Sequence, residues 1–103
     1  KVINHINLNL NTELSLKSLA AMCYISPSYL SNLFKRETGT TLIDYINTQR
    51  TQRAAHLLVG TKQSVAAIAA QVGILDVNYF ARLFKKALGQ TPTQYRRSHR
   101  TEP

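Results

Sequence analysis

One segment of this chain occurs twice, and that repeat restricts the fold to a supersecondary unit built in duplicate. Tyr29, Leu33, Phe34, Lys35, Gly39, Thr41 and Tyr45 recur fifty positions later as Tyr79, Leu83, Phe84, Lys85, Gly89, Thr91 and Tyr95. Leu30 pairs with Phe80 and Arg36 with Lys86 under the same offset. Further upstream the offset is forty-nine, pairing Ser15 with Ser64, Leu19 with Ile68, Ala20 with Ala69 and Ala21 with Ala70. The second copy therefore carries one extra residue between Val72 and Tyr79.

Periodicity makes the repeated unit helical. In the second copy Phe80, Leu83, Phe84 and Ala87 follow the i, i+3, i+4, i+7 spacing of one buried face. Asn78, Ala81, Arg82 and Lys85 have the same spacing on another face, with no large apolar side chain among them. Gly89 suits a left-handed helix stop, Thr91 the next N-cap and Pro92 the first position after it. In the first copy Ser26 caps and Pro27 opens a helix to about Thr38, with Leu30, Leu33 and Phe34 inside and Ser28, Ser31, Asn32 and Lys35 outside. Before it stands a shorter helix capped by Ser15, with Leu16, Leu19, Ala20 and Cys23 as its apolar face; Tyr24 and Ile25 lie in the turn. Ser64 to Val72, a turn at Gly73, and Asp76 to Leu88 repeat the arrangement. Two short helices joined tightly, the second with a polar stripe, describe a helix-turn-helix.

Three further helices complete the reading. Lys1 to Leu8 forms the first, with Ile3 and Ile6 facing inward. Thr41 to Val59 is the longest, opened by a capping box of Thr41 and Asp44 and ended by Gly60, with Ile43, Ile46, Ala54, Leu57 and Leu58 as its apolar face. About 18 residues make it roughly 27 Å long, near the ~34 Å between successive major-groove faces of a duplex. Pro92 to Arg97 is the last, followed by a frayed polar tail from Ser98. The expected fold is all-α, with about seven helices and no strand. Its parts are a first helix-turn-helix subdomain over residues 1–40, a linker helix over 41–60 and a second subdomain over 61–103.

Charge points to the partner. Thirteen Lys and Arg against five Asp and Glu give +8, which favours polyanions, nucleic acid before an anionic membrane surface. No apolar run reaches the ~20 residues of a membrane span, and the packing between helices accounts for the apolar stripes, so no membrane partner is expected. A hydrophobic content of 44% supports a packed core. The lone Cys23 matches Val72 in the repeat and reads as a core residue; it rules out an internal disulfide and a multi-cysteine zinc site. His5, His56 and His99 are scattered, Asp44 and Asp76 have local capping or helix-start roles, and no phosphate loop or Cys–His pair appears. An enzyme is not expected, nor a metal or cofactor. A chain opening on Lys1 reads as a fragment of a longer protein.

The outer stripes are the candidate site. An exposed arginine is most simply a solvated charge, but Arg82 lies on the outer stripe, where its fork suits guanine O6 and N7. Asn32 occupies the matching place in the first copy and suits adenine N6 and N7. Ser28 and Ser31 are weaker base readers, Ala81 offers a methyl to thymine or simply room for close approach, and Asn78 divides between base and phosphate. Lys35, Lys85, Arg36 and Lys86 either solubilise the fold or contact phosphate. Ser15 and Ser64 cap helices whose N-termini also favour anions. Arg50 and Arg53 read as structural or surface residues, and Tyr29, Tyr79 and Tyr95 as core aromatics with hydroxyls at the rim.

The pattern resembles the C-terminal DNA-binding domain of the AraC/XylS family of bacterial transcription regulators. Ser64, Ile68, Ala69, Gly73, Asp76, Tyr79, Phe80, Arg82, Phe84, Lys85, Lys86, Gly89, Thr91, Pro92, Tyr95 and Arg96 fit the family's signature, and Arg50, Ala54, Leu57 and Leu58 fit its linker helix. Ile74 stands where an aromatic is usual, Asn78 where serine is common, Thr51 for an aliphatic and Ala67 for an acid. The resemblance implies sequence-specific binding of double-stranded DNA by two recognition helices in successive major-groove segments, in the bacterial cytoplasm, to control transcription. It also implies an N-terminal sensor, receiver or dimerisation domain outside this chain. RNA polymerase is a further expected partner.

Overall fold

A computed structural model describes residues 2–12 and 14–99. Seven helices occur among them and no strand: α1 Val2–Leu8, α2 Leu16–Met22, α3 Pro27–Thr38, α4 Leu42–Gly60, α5 Val65–Gln71, α6 Val77–Leu88 and α7 Pro92–His99. The chain divides into two compact units, residues 1–49 and 50–103, so the boundary falls inside α4. Its first half belongs to unit 1 with α1, α2 and α3. Its second half belongs to unit 2 with α5, α6 and α7.

Each unit has its own apolar core. In unit 1, Ile6, Leu10, Leu19, Ala20, Leu30, Phe34, Leu42 and Ile46 form it. In unit 2, Ala54, Ala55, Leu58, Ile68, Ala69, Val72, Ile74, Phe80 and Phe84 do. The helix starts explain where these faces begin. The Ser15 and Ser64 hydroxyls accept the amides of Ser18 and Ala67 at 3.0 and 3.1 Å. Ser26 accepts the Tyr29 amide, and one carboxylate oxygen of Asp76 accepts those of Asn78 and Tyr79. Each contact satisfies a donor that the first helical turn leaves unpaired. The stops are alike too: Gly39 and Gly89 both have φ +80°, and each donates its amide to the lysine four residues back, Lys35 or Lys85, at 2.8 Å.

The turns differ by one residue. Tyr24 (φ +60°) and Gly73 (φ +89°) are equivalent left-handed positions. After them the Ile25 and Ile74 amides reach back to Ala20 and Ala69 carbonyls at 3.1 and 2.8 Å. The extra residue of the second copy is then Leu75, which is 88% exposed before the Asp76 cap.

Several expected packing assignments need correction. Ile3 is partly exposed and lines an open apolar groove with Val2, Leu30, Leu33 and Phe34, so only Ile6 of that pair is core. Ile43 is 56% exposed, because Leu42 enters the core one position earlier. Ala87 is exposed at the end of α6, where Leu88 packs on the core instead. Cys23 is only half-buried, unlike the wholly buried Val72. Gly60 is the last residue of α4 and has an ordinary φ; Thr61 ends the helix, its amide and hydroxyl both donating to the Leu57 carbonyl. Ser98 and His99 extend α7, with the His99 ring stacked on Tyr95 at 3.9 Å. Lys1 and the tail beyond His99 lie outside the described residues.

Candidate nucleic-acid interface

The two candidate reading helices are α3 and α6. Each has twelve residues, starts on a side-chain cap and ends on a left-handed glycine. Each is anchored by the same pair of inward positions, Leu30 and Phe34 in α3, Phe80 and Phe84 in α6. Behind each pair stands a tyrosine edge: Tyr45 meets Phe34 at 5.5 Å between ring centres, and Tyr95 meets Phe84 at 5.3 Å. These contacts fix how each helix is rolled, since ring pairs prefer tilted or edge-on geometries.

That roll decides what faces outward. Ser28, Ser31, Asn32 and Lys35 are all exposed on α3, and Asn78, Arg82 and Lys85 on α6. Ala81 is half-buried, leaving a low place in the α6 stripe beside Arg82. Arg36 and Lys86 are also exposed, in the last turns, where a cation complements the partial negative charge of a helix C-terminus. Ser15 and Ser64 use their hydroxyl oxygens as caps, which leaves the capping role the better supported for both.

Tyr29 and Tyr79 are not core residues. They are 53% and 43% exposed, because on the first turn of each helix the inward place belongs to Leu30 and Phe80. Tyr79 instead serves the outer surface: the Arg82 guanidinium lies 5.8 Å from its ring centre, within cation–π range. This contact narrows the orientations of the one arginine on either outer stripe. Tyr79 also interacts with Arg50. Burial lowers the Arg50 pKa below its ordinary value and the Tyr79 hydroxyl acts in the opposite sense, while arginine keeps its charge.

Sequence reasoning missed the work of Arg96. Its guanidinium donates to the carbonyls of Leu58, Thr61 and Gln63 at 2.9, 3.3 and 2.5 Å. It thus ties α7 to the end of α4 and to the connection that leads into the Ser64 cap. Its place in unit 1 is taken by Ile46, a core residue, so the repeat gave no sign of this role. Among the described residues no cluster of His, Cys, Asp or Glu could hold a metal ion, and no helix is long and apolar enough to cross a membrane.

Comparison with known proteins gives a consistent result. A family profile described as a helix-turn-helix domain matches residues 19–98. The chain is 38% identical over 101 residues to the bifunctional transcriptional activator/DNA repair enzyme AdaA of Bacillus subtilis, covering 98% of this chain and 48% of that protein. The chain thus spans about half or less of the curated relatives it matches. Among solved structures, the C-terminal domain of AraT, a response regulator from Geobacillus stearothermophilus, superposes with a TM-score of 0.95 at 35% identity, over 98% of this chain and 84% of that one. The DNA-binding domain of the global transcriptional factor AdpA, solved with a target DNA, superposes with a TM-score of 0.91 at 26% identity, over 95% and 88%. With its paired helix-turn-helix units and these relatives, the chain belongs to the AraC-type helix-turn-helix family of transcription-regulator DNA-binding domains.

Proposed function

We propose that this domain binds double-stranded DNA in a sequence-specific manner and uses both reading helices to do so. The observation that carries the reading is the pair of equivalent outer stripes, each opposite a fully anchored inner face. A helix held in this way offers a fixed set of groups to a major groove. In unit 2, Arg82 pairs with guanine O6 and N7, Asn78 makes a second polar contact, and Ala81 lets the helix approach closely. In unit 1, Asn32 pairs with adenine, and Ser28 and Ser31 add hydroxyl contacts. Lys35 and Lys85 hold phosphates beside these stripes, with Arg36 and Lys86 as weaker phosphate contacts.

Only lysine is kept between the stripes: serine matches asparagine, serine matches alanine and asparagine matches arginine. One monomer should therefore read two unlike half-sites, giving an asymmetric site. The domain acts in the bacterial cytoplasm and carries out no reaction of its own; AdaA's repair activity is ascribed to that longer protein. Its control comes from a separate N-terminal sensor, receiver or dimerisation domain, and the greater length of the relatives supports this part of the reading. Contact with RNA polymerase completes the regulatory role.

Selection of bound sites from random duplexes at one stated salt concentration tests the mechanism. Wild type should yield an asymmetric site, Arg82→Ala should relax one half of it and Asn32→Ala the other. A palindrome, or relaxation of both halves by either substitution, would overturn the two-reader mechanism.

A further inference from the structure

The two units match in fold but not in charge. Residues 1–49 carry four Lys and Arg against three Asp and Glu; residues 50–103 carry nine against two. Nearly all of the +8 therefore resides in unit 2, at +7, with +1 left for unit 1. Much of the imbalance arises at equivalent positions. Glu37 matches Ala87, Asp44 matches Gln94 and Glu13 matches Lys62, while Asn32 matches Arg82 and Asn47 matches Arg97.

The differing charges among the described residues are at the surface. Glu37 and Asp44 are exposed in unit 1, and Lys62, Arg82 and Arg97 are exposed in unit 2. Glu37 directly follows Lys35 and Arg36 at the end of α3. Its negative charge on the same last turn offsets part of their positive field. On α6 the same position is Ala87, and Lys85 and Lys86 act unopposed there. The single described acid of unit 2, Asp76, is committed to its cap.

We propose that the units divide DNA attachment unequally: unit 2 supplies most of the phosphate contacts and sets the salt dependence, whereas unit 1 contributes chiefly base discrimination. This rests on the DNA-binding reading above and assigns its electrostatic part. Phosphate neutralisation releases counterions, and each contact steepens the fall of log K with log salt by about 0.9. A near-neutral unit releases few. The protein then holds duplex mainly through unit 2, while both units read sequence, each in its own half-site.

The test uses the whole chain on its selected site. Ethylation of single phosphates should interfere mainly in the half-site that Arg82→Ala relaxes, by roughly two to one over the other half. Lys62→Gln with Arg97→Gln should flatten the salt slope by about two units on all duplexes, while Lys17→Gln with Arg36→Gln changes it by less than about one. Glu37→Ala with Asp44→Gln, which gives unit 1 the residues of unit 2, should strengthen binding to unselected duplex. All these positions are exposed, and circular dichroism checks that each variant is folded. Equal interference in both halves with equal slope changes would overturn the division while leaving sequence-specific binding intact. Loss of selective binding by the wild type would remove the DNA reading itself.

Discussion

Units 1 and 2 reach the same fold with different materials at their turns. In unit 2 the left-handed place between the paired helices is Gly73, which adopts φ +89° without a Cβ clash. In unit 1 it is Tyr24, a bulky residue at φ +60° whose side chain is 95% exposed. A left-handed conformation costs an L residue roughly 1–2 kcal/mol, so unit 1 carries a strain that unit 2 avoids. The cores show the same direction. Phe84 and Phe80 are wholly buried, while their equivalents Phe34 and Leu30 retain slight exposure beside an open apolar groove. Unit 2 also has the Arg96 clamp on three carbonyls, which unit 1 lacks. A duplicated fold can thus keep its anchors while one copy gains the more enclosed core and most of the positive charge.

Four pairs of substitutions test this contrast. The largest effect is expected from Phe84→Ala, which should cost about 3–5 kcal/mol in urea unfolding. Phe34→Ala should cost less, because its site is less enclosed; an equal or larger loss would remove the ranking of the two cores. Next comes Arg82→Ala, which should lower discrimination at one base by about 1–3 kcal/mol, measured as affinity for single-base variants of the selected site. Asn32→Ala should have a similar or smaller effect in the other half, and a uniform loss across all variants would move either residue from base to phosphate.

Third, Asp76→Ala should destabilise by about 0.5–2 kcal/mol, more than Ser26→Ala, since the aspartate caps two amides and the serine one. Thermal melts of both variants decide the order. The smallest effect is Tyr24→Gly, expected to stabilise by up to ~1 kcal/mol by releasing the left-handed strain, while Gly73→Ala destabilises by a similar amount. If Tyr24→Gly lost stability, the exposed tyrosine would have to make a contact that offsets its strain.

Much of this molecule was legible in the chain itself. Caps, stops and turns are local: Ser15, Ser26, Ser64 and Asp76 start helices, and Gly39 and Gly89 end them, because each acts within four residues of its own backbone. The repeat also brought the outer stripes into register, since equivalent anchors impose an equivalent roll. The apolar pattern misleads where one helix carries two phases. In α4 the buried positions are Leu42 and Ile46 in its first half, then Thr51, Ala54, Ala55 and Leu58 in its second. These are two stripes serving two cores, and no one apolar face drawn from Ile43 to Leu58 fits both.

Local sequence settles the helices, their starts and most of their stops, the duplicated pattern and the net charge, all of which depend on neighbours a few residues apart or on composition. Tertiary structure alone decided that α4 is shared between two cores and that Tyr79 leaves the core to rest beside Arg82. It also decided that Arg96 reaches thirty-three to thirty-eight residues back to the carbonyls around the end of α4. The physical reason is that burial and long-range hydrogen bonding depend on which surfaces meet. A residue's spacing along its own helix fixes its face, but only the packed partner fixes whether that face is covered.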